Sequence, residues 1–423
     1  MICGGGSTMK WYKLLLILSI TFLLPPSLLA QQPVHITFWH ALSGPKGEFF
    51  ESLIAEFNDT HPGIQVEPIY TGKYRETAEK VMSALATDTL PNGGVIPAGP
   101  IFTGANGNYK ILEYLEKEPG ILEDIYPAIW DYAKYAGKIC AIPYNISTPL
   151  LYYNKDLLKK AGLDPEDPPE TWEELLEFSK TVVKKVKDVY GVNMKDTPWF
   201  FKALLLQNEC GIVTETLPPD PLFDSPKGIE AAEFWKRLVG EGVMPVGMHA
   251  MAEKHFLSGI LAFCVASSSK LGKWHGKTSF EFGVAFLPGK VRRAVPIGGA
   301  TLVLFPHTEA EDDATWELIK WLIEPTNIAR WVMATGYLPI RKSCLELPEM
   351  KQFLEENPHF KVPFEQLQYG YAYWHFMEMG TMDALLREAL EKIEYGVMGP
   401  EQAMKWAAEE LRKEIAESPY YQQ

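Results

Sequence analysis

The side chains with the clearest chemical potential lie in one short stretch, Pro143–Asp156. Two of its prolines, Pro143 and Pro149, fix their own φ angles and restrict the residues before them, which predicts an extended, stiff segment. Hydroxyls and an amide lie between the prolines, on Tyr144, Asn145, Ser147 and Thr148. A rigid segment with neutral hydrogen-bonding groups suits a site where two lobes meet around a small polar ligand. A buried strand with a polar lead-in is the alternative.

No pattern typical of an enzyme accompanies this stretch. The nine histidines are scattered, and none belongs to a His-Glu-x-x-His zinc motif. His249 and His255 are six residues apart, which is not the spacing of one helix face. A nucleophile elbow and a glycine-rich phosphate loop are also absent. Carboxylate pairs occur without a context that indicates a glycosidase. The sequence favours a binding protein, with no metal or other cofactor indicated.

The elements that must position the stretch alternate between strands and helices. In chain order, the first four are predicted at Val34–Trp39, Lys46–Asn58, Ile64–Tyr70 and Tyr74–Thr87. This order predicts an α/β lobe with a largely parallel sheet. Ligands of such sheets bind at the carboxyl ends of the strands, which places Ala41–Pro45 and Thr71–Tyr74 at a rim. Tyr74 is a predicted ligand contact there, with a core aromatic as the alternative, whereas His40 is better explained as a structural histidine.

The later elements complete this alternation. Gly94–Ala98 is a predicted third strand, and Thr171 with Glu174 forms a capping box before a helix. An aromatic cluster over Tyr369–Phe376 could stack on a sugar ring or a choline headgroup, or belong to the core. The C-terminal part is predicted to be helical at Phe353–Glu356, Thr381–Gly396 and Glu401–Ala416.

The composition bounds the class of protein. The chain has 423 residues, 47% of them hydrophobic, which predicts a folded protein with two or three domains or one two-lobed unit. The net charge of −14 comes without a stripe of Lys and Arg, so nucleic acid is not an expected partner. The cysteines beyond the first 30 residues are widely spaced and predict mostly buried free thiols: Cys140, Cys210, Cys264 and Cys344.

The first 30 residues have the pattern of an export signal. Lys10 and Lys13 precede the apolar run Leu14–Leu24, which is too short to span a bilayer. Residues 27–30 could supply the cleavage site, so we expect export with removal of the segment; an uncleaved membrane anchor is the alternative. Because three glycines before Met9 could be a translated ribosome-binding sequence, we propose Met9 as the true start.

Seven motifs occur along the chain in a characteristic order: Ile36–His40, His61–Ile64, Thr71–Tyr74, Ser147–Asp156, Thr171–Leu175, Gly298–Ala300 and Thr335–Pro339. Together they resemble the extracellular solute-binding proteins of ABC importers, the family that includes the maltose-binding protein. The likeness is strongest to members that bind sn-glycerol 3-phosphate and glycerophosphodiesters, over about residues 33–415. It implies an α/β type II periplasmic-binding-protein fold, with two lobes, a hinge of crossing strands and C-terminal helices. Lobe one would hold residues 33–142 and 299–336, and lobe two residues 143–298 and 337–423.

The resemblance also implies a ligand site. The positions that match glycerophosphate-binding members are Tyr74, Ser147, Ser267, Gly299 and Tyr337, with Trp199 a looser match for an apolar wall. Their hydroxyls and a backbone N–H would bind a phosphate without a buried cation. Two positions depart, since Ala98 stands where those members use a glutamate for the glycerol hydroxyls, and His375 stands near a phosphate-binding arginine. A different glycerophosphodiester or a sugar therefore remains open as the ligand.

The resemblance implies a monomer that is exported to the periplasm or the outer face of the cell membrane. It would capture glycerol 3-phosphate or its diesters by hinge closure and deliver them to the permease subunits of an ABC importer. The alternative is an oligosaccharide-binding protein of the same fold, of the maltose or trehalose type. A secreted glycan-processing enzyme is a third hypothesis, which the lack of catalytic motifs disfavours.

Overall fold

The computed structural model describes residues 32–274 and 276–422. The predicted export signal, its cleavage site and the proposed start at Met9 lie outside the described residues. Among the helices that are described, none is both long and apolar enough to cross a membrane.

The structure alternates strands and helices along most of the chain. The strands are β1 (Val34–His40), β2 (Ile64–Tyr70), β3 (Gly93–Pro97), β4 (Lys134–Tyr135), β5 (Lys138–Ile139), β6 (Ile142–Pro143), β7 (Pro149–Asn154), β8 (Tyr190–Met194), β9 (Leu261–Ser267), β10 (Phe282–Ala285), β11 (Val295–Pro296), β12 (Ala300–Leu304) and β13 (Gly370–Tyr371). The helices are α1 (Pro45–Thr60), α2 (Tyr74–Thr87), α3 (Gly99–Gly104), α4 (Lys110–Leu115), α5 (Pro119–Asp124), α6 (Pro127–Asp131), α7 (Lys155–Ala161), α8 (Trp172–Lys185), α9 (Thr197–Gln207), α10 (Pro226–Gly240), α11 (Ala252–Leu257), α12 (Leu271–Trp274), α13 (Glu309–Leu322), α14 (Pro325–Thr335), α15 (Pro348–Glu356), α16 (Lys361–Gln366), α17 (Met379–Glu394) and α18 (Pro400–Glu417).

Local sequence signals place several of these elements where we expect them. The predicted capping box is confirmed, because Thr171 Oγ1 accepts from the Glu174 N–H at 3.2 Å and the Glu174 carboxylate accepts from the Thr171 N–H at 3.1 Å. The predicted third strand is found one residue earlier, as β3. The two long C-terminal helices are found as α17 and α18.

The first sheet has the strand order β2-β1-β3-β12-β6. β1 pairs in parallel with β2 and β3, as the strand–helix alternation predicts. β12 runs antiparallel to β3 and β6, because the chain enters it from the other lobe rather than through a crossover helix. The sheet is thus parallel only in its first three strands.

The second sheet has the strand order β10-β7-β9-β8. Its strand β7 pairs antiparallel with β10 and β9, and all six of its residues are buried. Tyr152 and Tyr153 on this strand are 0% and 5% exposed, which confirms that they are core rather than ligand contacts. Both faces of β7 are therefore covered, as its continuous apolar run predicts.

The first sheet packs in one hydrophobic core and the second sheet in two, and these cores define two lobes. The sequence places the chain after Tyr337 in lobe two, but the buried side chains from Tyr337 to Met350 pack in the core of the first sheet. The Leu338 N–H donates to the Ile146 carbonyl at 2.8 Å, which holds the chain beside the hinge after α14 ends. From Phe376 onward the buried side chains join the second core. Phe360 already packs in a core of the second sheet, whereas Leu367 packs in the first core, so we propose that the chain passes to the second lobe between Met350 and Phe376.

Two antiparallel segments cross between the lobes. The first, Tyr144–Thr148, joins β6 to β7, so the two prolines that predict a stiff crossing stand at its ends. It pairs with the segment around Gly298, since the Ser147 N–H donates to the Gly298 carbonyl and the Gly298 N–H to the Ser147 carbonyl, both at 2.9 Å. These paired crossings place the carboxyl ends of strands from both sheets around one cleft.

Candidate ligand-binding site

A cavity of about 320 Å³ lies between the lobes, and we call it the first cavity. Six of the seven site residues predicted from the sequence line it together: Tyr74, Ser147, Trp199, Ser267, Gly299 and Tyr337. They come from both lobes and from the crossing segments between them. The structure therefore brings most of the predicted site to one place, although the residues are up to 263 positions apart in the chain.

The hinge contributes Ser147 and Gly299. The Ser147 hydroxyl donates to the Gly298 carbonyl at 3.4 Å, a long hydrogen bond that can be exchanged for one to a ligand. Gly299 has a φ of +146°, and a Cβ built there would lie 1.6 Å from the Asn145 carbonyl oxygen. Only glycine fits this position, which lets the two crossing segments approach closely.

Two tyrosines meet above the hinge. Tyr74 is the first residue of α2, and its hydroxyl lies 3.4 Å from the hydroxyl of Tyr337, which follows the C-terminal glycine of α14. Burial raises the pKa of both phenols above the ordinary value. Both groups therefore stay protonated at neutral pH and can donate hydrogen bonds to an anion.

The second lobe contributes Trp199 and Ser267. Trp199 lies in the first turn of α9, where the Asp196 side chain accepts from its N–H at 3.4 Å. The indole packs against Gly298, and its Nε1 has no hydrogen-bond partner among the described residues. Ser267 ends β9, and its hydroxyl donates to the Ser269 hydroxyl at 3.1 Å. An apolar wall and one more hydroxyl thus face the hinge.

Charged side chains also line the first cavity, and the sequence analysis missed them. Lys202 is buried in α9, its ammonium donates to the Asp383 carboxylate at 2.7 Å, and it lies 4.6 Å from the ring centroid of Tyr373. Asp196 has its side chain in the cleft, where enclosure and the nearby Asp383 raise its pKa. The signal for Lys202 was present, because it is the one lysine in the otherwise apolar and buried helix α9.

Ala98 also lines the first cavity, in the left-handed backbone region with a φ of +51°. Since it offers only a methyl group, this part of the wall has no acceptor for ligand hydroxyls on that side chain.

His375, the seventh predicted residue, lines a different cavity. This second cavity has a volume of about 430 Å³, and its lining residues are Ala128, Asp131, Lys134, Gly137, Glu215, Gly370, Tyr371, Ala372, Tyr373, Trp374 and His375. In this segment it is Tyr373, two residues earlier, that reaches the first cavity, and it lines both. This segment thus reaches the first cavity through Tyr373 rather than through His375.

A basic mouth leads to the first cavity. It is a cavity of about 530 Å³ that shares Tyr74, Asp196, Trp199 and Ser267 with the first. Four cations line it against two carboxylates, Asp196 and Glu253; the cations are Lys73, Lys195, Lys270 and Arg387. A positive mouth on a chain of net charge −14 attracts anions locally.

Other chemistry is sparse in the described chain. Its four cysteines are buried free thiols, as predicted. No group of three or more His, Cys, Asp or Glu side chains in residues 32–274 and 276–422 is arranged to hold a metal ion. The first cavity and its mouth, which hold six of the seven predicted site residues, are the candidate site.

A sequence model of the family described as "Bacterial extracellular solute-binding protein" matches residues 52–362. The sn-glycerol-3-phosphate-binding periplasmic protein UgpB of Pectobacterium atrosepticum is 28% identical over 410 residues, which cover 90% of this chain and 91% of that protein. UgpB of Escherichia coli is 28% identical over 407 residues, covering 90% and 92%.

Two solved structures have the same fold. UgpB from Mycobacterium tuberculosis, in complex with glycerophosphocholine, superposes with a TM-score of 0.79 at 27% identity, over 90% of this chain and 98% of that one. A cyclic alpha-maltosyl-1,6-maltose binding protein from Arthrobacter globiformis superposes with a TM-score of 0.77 at 24% identity, over 90% and 99%.

Proposed function

Because this chain belongs to the family of bacterial extracellular solute-binding proteins, we propose that it captures glycerol 3-phosphate or its diesters in the first cavity. It is the ligand-binding subunit of an ABC importer, acts outside the cytoplasm as a monomer, and delivers the ligand to membrane permease subunits. It binds its ligand without chemical conversion and without a cofactor.

One observation supports this ligand most strongly. Four hydroxyl groups from different parts of the fold, on Tyr74, Ser147, Ser267 and Tyr337, line the same small cavity. Hydroxyls that donate to a phosphate make charge-assisted hydrogen bonds, which are stronger than neutral ones. The basic mouth adds attraction for an anion before it reaches them.

The mechanism is closure of the two lobes about the crossing segments. Tyr74 and Ala98 belong to the first lobe, whereas Trp199 and Ser267 belong to the second. A ligand between them makes contacts with both lobes only when the cleft is closed, so it favours the closed form. At the rim, the ammonium of Lys46 in α1 already donates to the Ser269 carbonyl of the second lobe at 3.2 Å.

Isothermal titration of the purified protein tests this function. Glycerol 3-phosphate and glycerophosphocholine should bind, whereas maltose and trehalose should give no heat of binding. Small-angle scattering with a saturating phosphate ligand should show a smaller radius of gyration, and the ligand should be recovered unchanged after long incubation. Tight sugar binding with no response to either phosphate would contradict the proposal.

An oligosaccharide ligand is the second candidate, and two features favour it. Carboxylates such as Asp196 and Asp383 accept hydrogen bonds from sugar hydroxyls, and Trp199 and Tyr373 offer rings on which a sugar stacks. In the same titration, binding of maltose or trehalose alone would support this candidate.

A further inference from the structure

The charged side chains of the first cavity sum to a negative charge, although its proposed ligand is an anion. Among the described residues that line this cavity, the charged ones are Asp196, Lys202 and Asp383. The Lys202 ammonium donates to the Asp383 carboxylate at 2.7 Å, so this cation already has an anionic partner. Asp196 supplies the remaining charge, which is negative. A phosphate in this cavity therefore has to share it with the Asp196 carboxylate.

Asp196 stands where the mouth opens into the first cavity, because its side chain lines both. It directly precedes α9, and its Oδ1 accepts from the backbone N–H of Trp199 in the first turn, at 3.4 Å. This cap holds the carboxylate at the boundary between the mouth and the cavity. A ligand that enters from the mouth comes close to it.

The surroundings of Asp196 already disfavour its own negative charge. Enclosure in the cleft raises the pKa of Asp196 above the ordinary value, and so does the charge of Asp383. Lys202, the Trp199 N–H and Arg387 act in the opposite direction without offsetting this rise. Like charges in one enclosure repel each other. Each negative charge of a ligand is thus added to a cavity that already resists its second carboxylate.

The cations of the mouth compensate for this only in part. Lys73, Lys195 and Arg387 are exposed, so water and salt screen their charges. Lys270 pairs with the Glu253 carboxylate at 2.7 Å. These groups attract an anion to the cleft, whereas the described walls of the first cavity offer it hydroxyls rather than an unpaired cation.

The two classes of proposed ligand differ in charge. A phosphate monoester such as glycerol 3-phosphate loses its second proton at a pKa of about 6, so it is a dianion at pH 8. A phosphodiester keeps one negative charge over this range, because it has no second proton to lose. The oxygens of the dianion and of the Asp196 carboxylate can only accept hydrogen bonds, whereas a protonated monoester has an O–H that can donate. The carboxylate therefore favours ligands with a single charge.

We propose that Asp196 is a specificity-determining residue that restricts the first cavity to phosphates with a single negative charge. Diesters bind without a change of protonation. Glycerol 3-phosphate binds as its monoanion, so at pH 8 it takes up one proton from the solvent. This inference rests on the proposed function, because it requires a phosphate in the first cavity.

Titration with a matched pair of ligands tests the inference. The pair is glycerol 3-phosphate and its methyl ester, glycerol 3-(methyl phosphate), which differ by a methyl group and, at pH 8, by one charge. At pH 8 the native protein should bind the methyl ester at least about tenfold more tightly, and at pH 5 the two affinities should agree within about threefold. A pH dependence that arises elsewhere in the protein acts on both ligands and cancels in this ratio.

Calorimetry in buffers with different ionisation enthalpies measures the proton directly. At pH 8, glycerol 3-phosphate should take up about one proton more than the methyl ester does when each binds the native protein. Equal proton uptake by the two ligands would contradict the inference.

Two variants locate the effect. Asp196→Asn should fold normally, because asparagine caps helices as well as aspartate does. It should reduce the preference for the methyl ester at pH 8 to less than about threefold, chiefly through tighter binding of glycerol 3-phosphate. Asp188→Asn is the matched control, since it makes the same change at an exposed residue of the second lobe that lines neither cavity nor the mouth. Asparagine also tolerates its left-handed backbone, with a φ of +59°, so the ratio should not change.

The outcomes separate the two proposals. If neither phosphate binds the native protein at pH 5 or pH 8, the proposed function is wrong and this inference falls with it. If both bind equally tightly at pH 8, or if glycerol 3-phosphate binds more tightly, only the inference is wrong. If Asp196→Asn keeps the preference, or weakens both ligands by the same factor, the carboxylate does not choose between them and the inference is also wrong.

Discussion

The first and second cavities share the ring of Tyr373 but differ in how they are built. The first is formed at the ends of strands and helices around the paired crossing segments, and it combines hydroxyls with the ion pair between the buried Lys202 and the partly exposed Asp383. The second is formed by a hairpin, a loop and an irregular segment, and it combines aromatic rings with exposed charges and one neutral histidine. Regular elements thus form most of the first cavity, whereas a loop and an irregular segment form much of the second.

The largest expected effect is at the glycine on which the first cavity depends. Gly299→Ala places a Cβ against the Asn145 carbonyl at a φ of +146°, so we expect a loss of roughly 3 kcal/mol or more in the free energy of unfolding, with loss of ligand binding. Thermal unfolding and titration measure both. Gly380→Ala is the matched control, because its added Cβ meets no atom within 4 Å in α17, and it should leave both unchanged or slightly raise stability.

Removing two serine hydroxyls from the first cavity should weaken the binding of every phosphate ligand. Ser147→Ala combined with Ser267→Ala deletes two donors of the first cavity, each worth about 1.5–3 kcal/mol toward a charged group, so the affinity for glycerol 3-phosphate should fall about 100-fold or more. Every phosphodiester should lose the same factor, because all share the phosphate. Calorimetry that shows an unchanged affinity for glycerol 3-phosphate would remove the serines from the phosphate site.

The buried cation of the first cavity should have a smaller effect. Lys202→Met leaves Asp383 and Asp196 without this positive charge beside the ligand, so we expect roughly tenfold weaker phosphate binding. Lys413→Met is the control, because it removes an exposed lysine of α18 that pairs with Glu410 and lines neither cavity. This variant should bind glycerol 3-phosphate as tightly as the native protein. A sugar ligand would instead be insensitive to the sign of this charge, and equal affinity of Lys202→Met and the native protein for glycerol 3-phosphate would argue against an anion in this cavity.

The smallest expected effect is on closure at the rim. Burial, with Lys270 and Lys273 nearby, lowers the pKa of Lys46 to about 7, and in this structure its side-chain nitrogen contacts the Ser269 carbonyl and the face of Tyr337. An open cleft separates Lys46 from the second lobe, so its pKa should rise toward the ordinary value. Closing then releases a proton above pH 7, so ligand affinity should increase a few-fold between pH 7 and 9. Lys46→Met should remove most of this pH dependence, which titration with glycerol 3-(methyl phosphate) in buffers of constant ionic strength measures. If the affinity of the native protein for this diester stays constant or falls between pH 7 and 9, the protonation of Lys46 is not coupled to closure.

The two cavities also differ in how far the sequence predicts them. Tyr74, Ser147, Gly299 and Tyr337 belong to motifs whose order resembles a known family, and the family assignment is confirmed. Ser267 lies outside these motifs and was predicted only as a position that matches members of that family. Strand and helix positions follow from apolar periodicity and capping, because these signals are local. The crossing of the hinge was predictable from Pro143 and Pro149, since proline restricts the backbone wherever it stands.

What the sequence does not predict depends on distant contacts. In the sequence Lys202 is only a charged residue in an apolar helix. Its partner, Asp383, lies 181 residues later and is brought beside it by the fold. Tyr373 and His375 are two residues apart, but only the path of the irregular segment decides which one faces the first cavity. The segment after Tyr337 stays with the first lobe through a hydrogen bond to Ile146 that no local pattern indicates.

A crystal structure of the protein with glycerol 3-phosphate tests the central claim most directly. The account predicts a closed cleft with the phosphate in the first cavity, within hydrogen-bond distance of the hydroxyls of Tyr74, Ser147, Ser267 and Tyr337. A phosphate bound only to the lysines of the mouth, with those hydroxyls free of ligand contacts, would contradict it.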